Sequence, residues 1–319
     1  MTKQLKTVEH KSPTAAKRQR IQERHEARTG WAFLAPFALM FLLIFFIPII
    51  IAIFSSFTRQ DSGGGLYGGG ELTTKFVGLE NFKMVVTSSA FWSGIGRVLV
   101  YTAFQVPIMI LAALTLALLL DSFLTKHVTI YRLGYFLPFA IPGVVAAMIW
   151  MYLYTPGLSP IVKGFAAIGV NVDFFGRYAI LGSMANMTTW TYTGYNMLIF
   201  LAALQAIPVE LSEAARIDGA SGWQVTTRIK IPMVRGAALL AVLLSIVGTI
   251  QLFNEPQVLG TSQTWMGKSY TPMMMAYNTM MGTITPGGDG PASAISIVMA
   301  LIAGILAIAY AFIERKVSK

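Results

Sequence analysis

Apolar residues in this chain come in long uninterrupted runs instead of alternating with polar ones. Six runs, near residues 31–57, 98–120, 133–154, 178–207, 237–254 and 292–312, are long enough to cross the roughly 30 Å of hydrocarbon in a bilayer. A membrane barrel strand needs only about 10 residues and alternates its two faces. None of the runs alternates, so the pattern predicts six transmembrane helices and an all-α membrane protein. The first run follows a polar head and exceeds the roughly 7–15-residue apolar core of a signal peptide. No small-x-small cleavage site follows it, so it reads as a retained span. Breaks are expected at Pro107 in the second span and at Pro138, Pro142 and Gly143 in the third, because proline removes a backbone donor.

Composition agrees with the pattern. Of 319 residues, 55% are hydrophobic and only 12% charged, against about 25% charged in a soluble domain. With no cysteine, disulfides, thiolate metal sites and cysteine nucleophiles are excluded. A formal charge of +10 could indicate nucleic acid, but the cations are segregated. Seventeen of the 24 Lys and Arg fall in the head (residues 1–30), the second connection (Lys126, Arg132), the fourth (Arg216, Arg228, Lys230, Arg235) and the tail (314–319). The positive-inside rule then puts both termini in the cytoplasm, in keeping with an even number of spans. Glu9, Glu23 and Glu26 interrupt the basic head, which reads as a solvated topology anchor and not a nucleic-acid arm.

The expected spans hold no Asp or Glu in their middle, the nearest acid being Glu255 at the outer end of the fifth. Ion-coupled carriers keep ionisable groups at bilayer depth, so a secondary carrier working without an ATPase is the weaker alternative. Instead there are neutral polar and aromatic groups: Asn186, Thr188, Thr189, Trp190, Tyr192, Tyr195 and Asn196 in the fourth span, Thr249, Gln251 and Asn254 in the fifth. Such groups hydrogen-bond hydroxyls and stack on sugar faces. They also serve as glue between helices, and both readings stand for any single residue.

The fourth connection, residues 208–235, is amphipathic. Pro208 suits a helix start, Leu211, Ala214, Ala215 and Ile217 have helical spacing, and Gly219 can take the left-handed cap. Ser221 with Gln224 forms a capping box for a second helix that Pro232 closes. The spacing predicts a helix-turn-helix knob on the cytoplasmic face.

These residues resemble a known family. Glu213-Ala214-Ala215, Gly219 six positions on, and Ile229-Lys230-Ile231-Pro232 nine residues later resemble the "EAA" loop of permease subunits of bacterial ATP-binding-cassette importers. Ile231 replaces the usual Leu, and Gly236 stands where many carbohydrate permeases have proline. Residues 31–36 and 76–82, Phe136-Leu-Pro138, Trp150 and Phe253-Asn-Glu-Pro256 extend the likeness to the carbohydrate branch, toward its larger maltose-type or glycerol-phosphate-type subunit.

The resemblance implies a type I importer permease fold in a bacterial inner membrane, spanning 31–313. It implies a heterodimer with a second permease, two ATPase subunits that carry the ATP and Mg, and an extracytoplasmic solute-binding protein. It implies no cofactor and no catalytic site on this chain, and import of a sugar or related polyhydroxylated solute. Glu213, Ala214, Ala215, Arg216, Asp218 and Gly219 are then the coupling residues. Thr188, Tyr192, Tyr195, Asn196, Gly248, Thr249 and Leu252 line the solute path, with Gln251, Asn254 and Glu255 added to it.

Gly267-Lys268-Ser269 lacks the first glycine of a phosphate loop and falls on the outer side, so it is a chance match. Residues 61–70 are expected to form a flexible glycine-rich tip, and Met273–Met281 a short outer helix over the bundle.

Overall fold

A computed structural model describes residues 13–62, 72–122 and 127–317. Lys3, Lys6, Lys11, Lys126, Lys319 and the glycine-rich segment from residue 63 lie outside the described residues. The chain forms two compact units, divided between Phe54 and Ser55.

The first unit is helical. Helix α1 (Pro13–Phe41) passes through one π-helical turn (Leu42–Phe46) into α2 (Ile47–Ser56). No break marks residue 30, where the polar head was expected to end: the same helix carries the head into the apolar run, and Arg24–Ser56 is long and apolar enough to span a membrane. Phe37, Phe41 and Phe45 stack at i, i+4 spacing, with centroids 6.1 and 5.5 Å apart.

The second unit opens with a feature the apolar pattern does not reveal, an antiparallel hairpin of β1 (Thr58–Ser62) and β2 (Leu72–Phe76) in register Thr58 with Phe76. Buried Asn81, on α3 (Glu80–Thr87), holds it. Its Nδ2 donates to the Ser56 and Thr58 carbonyls (2.9 and 2.8 Å), and its Oδ1 accepts from Arg59.

Helix α4 (Ser89–Leu120) starts well before the expected residue 98, because the Ser88 hydroxyl caps it by accepting from the Phe91 N–H. It runs through Pro107 without the expected break. The third span does break. Helix α5 (Val128–Phe136), a 3₁₀ turn (Leu137–Ala140) and α6 (Gly143–Tyr154) bend through 97° across Pro138 and Pro142. After α7 (Pro160–Ala167), α8 (Ile180–Gln205) packs along α4. Val106, Ala113, Ala117, Phe200 and Leu204 interlock these two helices at one end of the bundle.

The connection after α8 turns by 67° into α9 (Val209–Ile217), with Pro208 at the N-cap, one residue before the position expected. Then follow α10 (Gly222–Val225), a π-helical turn (Thr226–Lys230) and α11 (Ile231–Met233), which runs one residue past Pro232. Helix α12 (Arg235–Ile250) carries the fifth apolar run. It stops at Ile250, short of the expected residue 254. After a break it resumes as α13 (Asn254–Ser262), and Arg235–Ser262 together are long and apolar enough to span a membrane.

The short helix expected over the methionines is α14 (Pro272–Met280), with Met274 and Met275 buried and Met280 and Met281 exposed. Arg97 donates to the Tyr270 carbonyl (2.9 Å) and lies 4.6 Å over its ring. Burial raises the Tyr270 phenol above its usual pKa, and the guanidinium opposes that shift. The last helix, α15 (Asp289–Val317), covers the sixth run and takes in most of the expected tail.

Candidate functional site

Two concave features stand out in the second unit. The first is a cavity of about 220 Å³ between α4, α8 and the α12–α13 break. All ten residues expected on the solute path line it: Thr188, Tyr192, Tyr195 and Asn196 from α8, Gly248, Thr249, Gln251 and Leu252 from the end of α12 and its break, and Asn254 and Glu255 from the start of α13.

Helix geometry explains the convergence. The α12 ladder closes with Gln251 N–H to Gly248 O and Leu252 N–H to Thr249 O, both three-residue bonds that tighten the final turn. Phe253, at φ −135° and ψ −52°, then redirects the chain into α13. The second broken span meets this one: Asn254 Nδ2 occupies the place a β-carbon on residue 143 would take, so Gly143 lets the side chain in. The 3₁₀ turn of the same broken span supplies Phe139, whose ring stacks on Tyr195 (4.8 Å) and meets Tyr192 edge-on (5.7 Å).

Glu255 corrects one expectation. Because the fifth run continues to Ser262, this carboxylate lies within it and not at its outer end, and the spans are not free of acids. Thr188 Oγ1 donates to Glu255 Oε1 (2.9 Å), and the buried Tyr101 hydroxyl donates to Thr188 Oγ1 (2.7 Å). Among the described residues no ion pair reaches Glu255.

Three lining residues of α4 were missed: Tyr101, Gln105 and Met109. Their i, i+4, i+8 spacing puts them on one helix face, and a Tyr and a Gln inside an apolar run were the available signal. Leu244, Ser245 and Phe253 also line the cavity. Conversely, Asn186, Thr189 and Trp190 do not line it. Asn186 Nδ2 donates to Tyr154 Oη (2.8 Å), and Trp190 meets Trp150 edge-on at 5.7 Å, so these two residues join α8 to α6.

The second feature is the α9–α10 hairpin. Gly219 has φ +85°, the Ala220 N–H reaches back to Ala215 O (2.9 Å), and the capping box forms with Ser221 accepting from Gln224 N–H and Gln224 Oε1 accepting from Ser221 N–H. Glu213, Ala214, Arg216, Asp218 and Gly219 are exposed, and Ala215 is half-buried. A cleft of about 340 Å³ runs between Ala215, Asp218 and Gly219 on one side and Gln224, Arg228 and Ile229 on the other. Ile217 and Trp223 stand out, 86% and 76% exposed. Lys230, following α10, reaches Asp121 at the end of α4 (2.5 Å). Among the described residues no group of His, Cys, Asp and Glu could hold a metal ion.

Comparison with known proteins agrees with this arrangement. Residues 84–319 match the family model described as binding-protein-dependent transport system inner membrane component. The chain is 30% identical to the lactose transport system permease protein of Rhizobium radiobacter, covering 73% of this chain and 76% of that protein. It is 30% identical to the arabinooligosaccharides transport system permease protein of Bacillus subtilis (78% of each), and 27% identical to the trehalose transport system permease protein of Mycobacterium tuberculosis (88% and 89%). A solved bacterial ABC transporter involved in import of the acidic polysaccharide alginate shares the fold, with a TM-score of 0.74 at 19% identity over 94% of this chain and all of that one. A family match over most of the chain, on a helical bundle with several apolar spans, makes this multi-pass membrane protein a member of the binding-protein-dependent transport system inner membrane components.

Proposed function

We propose that this chain is the permease subunit of an ATP-driven, binding-protein-dependent importer that passes a sugar or related polyhydroxylated solute through the α4–α8–α12 cavity. The observation that carries this reading is the coincidence in one cavity of every neutral polar and aromatic residue assigned to the solute path. In keeping with it, the relatives' names concern lactose, arabinooligosaccharides and trehalose. In the same reading, both termini and the α9–α10 hairpin face the cytoplasm. A second permease completes the path, two ATPase subunits engage the hairpin, and a solute-binding protein docks on the opposite face. One solved neighbour is in complex with an alginate pentasaccharide-bound periplasmic protein.

Transport follows as alternating access. Closure of the ATPases displaces α9, which the 67° turn joins directly to α8 and hence to Thr188, Tyr192 and Tyr195 on the cavity wall. Gly219 sets the hairpin's shape, since a side chain at φ +85° costs about 1–2 kcal/mol. With the chain in its native complex, Glu213→Lys and Gly219→Pro should abolish solute uptake while leaving the complex assembled. Unchanged uptake in both variants would refute the coupling role.

A further inference from the structure

We propose that the cavity selects its solute by charge, with Glu255 as the specificity-determining residue: it takes saccharides that present hydroxyl or ammonium donors and turns away those carrying carboxylate, sulfate or phosphate. This rests on reading the cavity as the solute path. The relatives leave the matter open, because sugars named for them range from lactose to the acidic polysaccharide alginate.

Among the described residues that line the cavity, Glu255 is the only carboxylate, and none is Lys, Arg or His. The Glu255 carboxylate accepts from Thr188, which sets the direction of the chain leading to it. The Thr188 proton points at Glu255 and the Tyr101 proton at Thr188, so these hydroxyls have spent their donors. Their neighbours show the same bias. Gln105, 1% exposed, directs its amide nitrogen to Met109 Sδ (3.4 Å) and Thr189 Oγ1 (3.5 Å), which leaves its Oε1 without any donor in the structure. Asn196 directs its amide nitrogen to the Tyr192 carbonyl (3.0 Å) and to Met109 Sδ, and the Thr249 hydroxyl donates to the Ile246 carbonyl (2.8 Å) while accepting from Thr102 Oγ1 (2.8 Å).

What remains on this wall is the Glu255 carboxylate, with no cation among the described lining residues to pair with it. A carboxylate away from water is costly unless donors meet it, so a solute that brings donors to Glu255 is favoured. Sugar hydroxyls and ammonium groups bring them. An anionic substituent brings acceptors and a like charge beside a half-buried carboxylate, where charges act more strongly than in bulk water. The other polar lining groups are hydroxyls and amides, which donate or accept and add no charge.

Because the chain has no cysteine, a single introduced thiol reports the field in the cavity without any knowledge of the natural sugar. With Gln251→Cys in the full chain in membranes of its own host, thiol modification is followed with a cationic reagent, methanethiosulfonate ethylammonium, and an anionic one, methanethiosulfonate ethylsulfonate. Each rate is divided by that with a free thiol in solution. The expected cation-to-anion ratio is on the order of tenfold or more. It should fall to near one when Glu255→Gln is added, an isosteric change that can still accept from Thr188, and persist with Glu255→Asp. A ratio near one with Glu255 present, a ratio unchanged by Glu255→Gln, or no modification at either Gln251→Cys or Gly248→Cys would overturn the proposal. Normal charge bias in a complex that imports no sugar would sink the importer reading and, with it, the selection of saccharides, leaving only the charge bias of the cavity.

Discussion

The Asp121–Lys230 pair fastens the segment that follows the α9–α10 hairpin to the end of α4, and its strength can be worked from the geometry. Asp121 caps the C-terminal end of α4, where the helix dipole already presents partial negative charge and a carboxylate is unfavourable. Lys230 offsets both, at 2.5 Å, with the two side chains only 20% and 15% exposed. At an effective dielectric of about 20 the gross attraction is about 6–7 kcal/mol, much of which desolvation removes. Losing one partner costs about 3–5 kcal/mol in a buried pair and at most about 1 on an open surface, so this site should fall near 2–3. The two single substitutions should differ. Lys230→Met strands a carboxylate at a helix C-terminus and should cost about 2–3 kcal/mol, whereas Asp121→Asn leaves a lysine where the dipole favours one and should cost about 1–2. The double variant should recover to within about 1 kcal/mol of the original, giving a coupling energy of about 3 kcal/mol. Equilibrium unfolding of the purified full chain by sodium dodecyl sulfate in mixed micelles, followed by circular dichroism, measures all four corners. Strictly additive effects, or Asp121→Asn costing more than Lys230→Met, would refute the reasoning.

Three further outcomes follow from the same contacts. Thr188→Val removes the link between Tyr101 and Glu255 and leaves both polar groups underpaired; it should cost about 1–3 kcal/mol in the same unfolding assay, and Thr188→Ser should restore most of it. Gly143→Ala puts a methyl where Asn254 Nδ2 sits, so uptake should drop sharply while membrane insertion, read by immunoblot of the membrane fraction, stays normal. Ser221→Ala deletes one arm of the capping box at an exposed position; it should cost about 1 kcal/mol locally and show as faster amide hydrogen exchange over residues 222–226, with α4 unaffected.

How much of this was legible in the sequence depended on the range of the cause. Local causes were readable. The capping box at Ser221 and Gln224, the left-handed Gly219 and the break across Pro138 and Pro142 are each fixed by neighbours a few residues away, and each is present. Helix ends set by tertiary contacts were not. The β1–β2 hairpin has no strong alternation of its own and depends on Asn81, about 20 positions along the chain, to satisfy the backbone between Ser56 and Thr58. Pro107 carries the helix-breaking signal of Pro138, yet α4 continues through it, in keeping with the tolerance of proline in helices whose neighbours hold the backbone in place.

Glu255 shows what such an error at a helix end does to a functional argument. Ending the fifth span at Asn254 puts the carboxylate at its outer end and leaves the middle of the spans without acids. That inference stood in for a distinction between ATP-driven and ion-driven transport. Helix α13 resumes one residue before the acid and puts it against Thr188, so the absence of charge cannot make that distinction; the family match and the separate hairpin make it instead. The correction also gives Glu255 a task. A carboxylate inside an apolar span is expensive and persists where it serves a path, and here no cation among the described residues pairs with it. The group left to face it in the proposed path is the solute, which meets the carboxylate best if it is rich in hydrogen-bond donors.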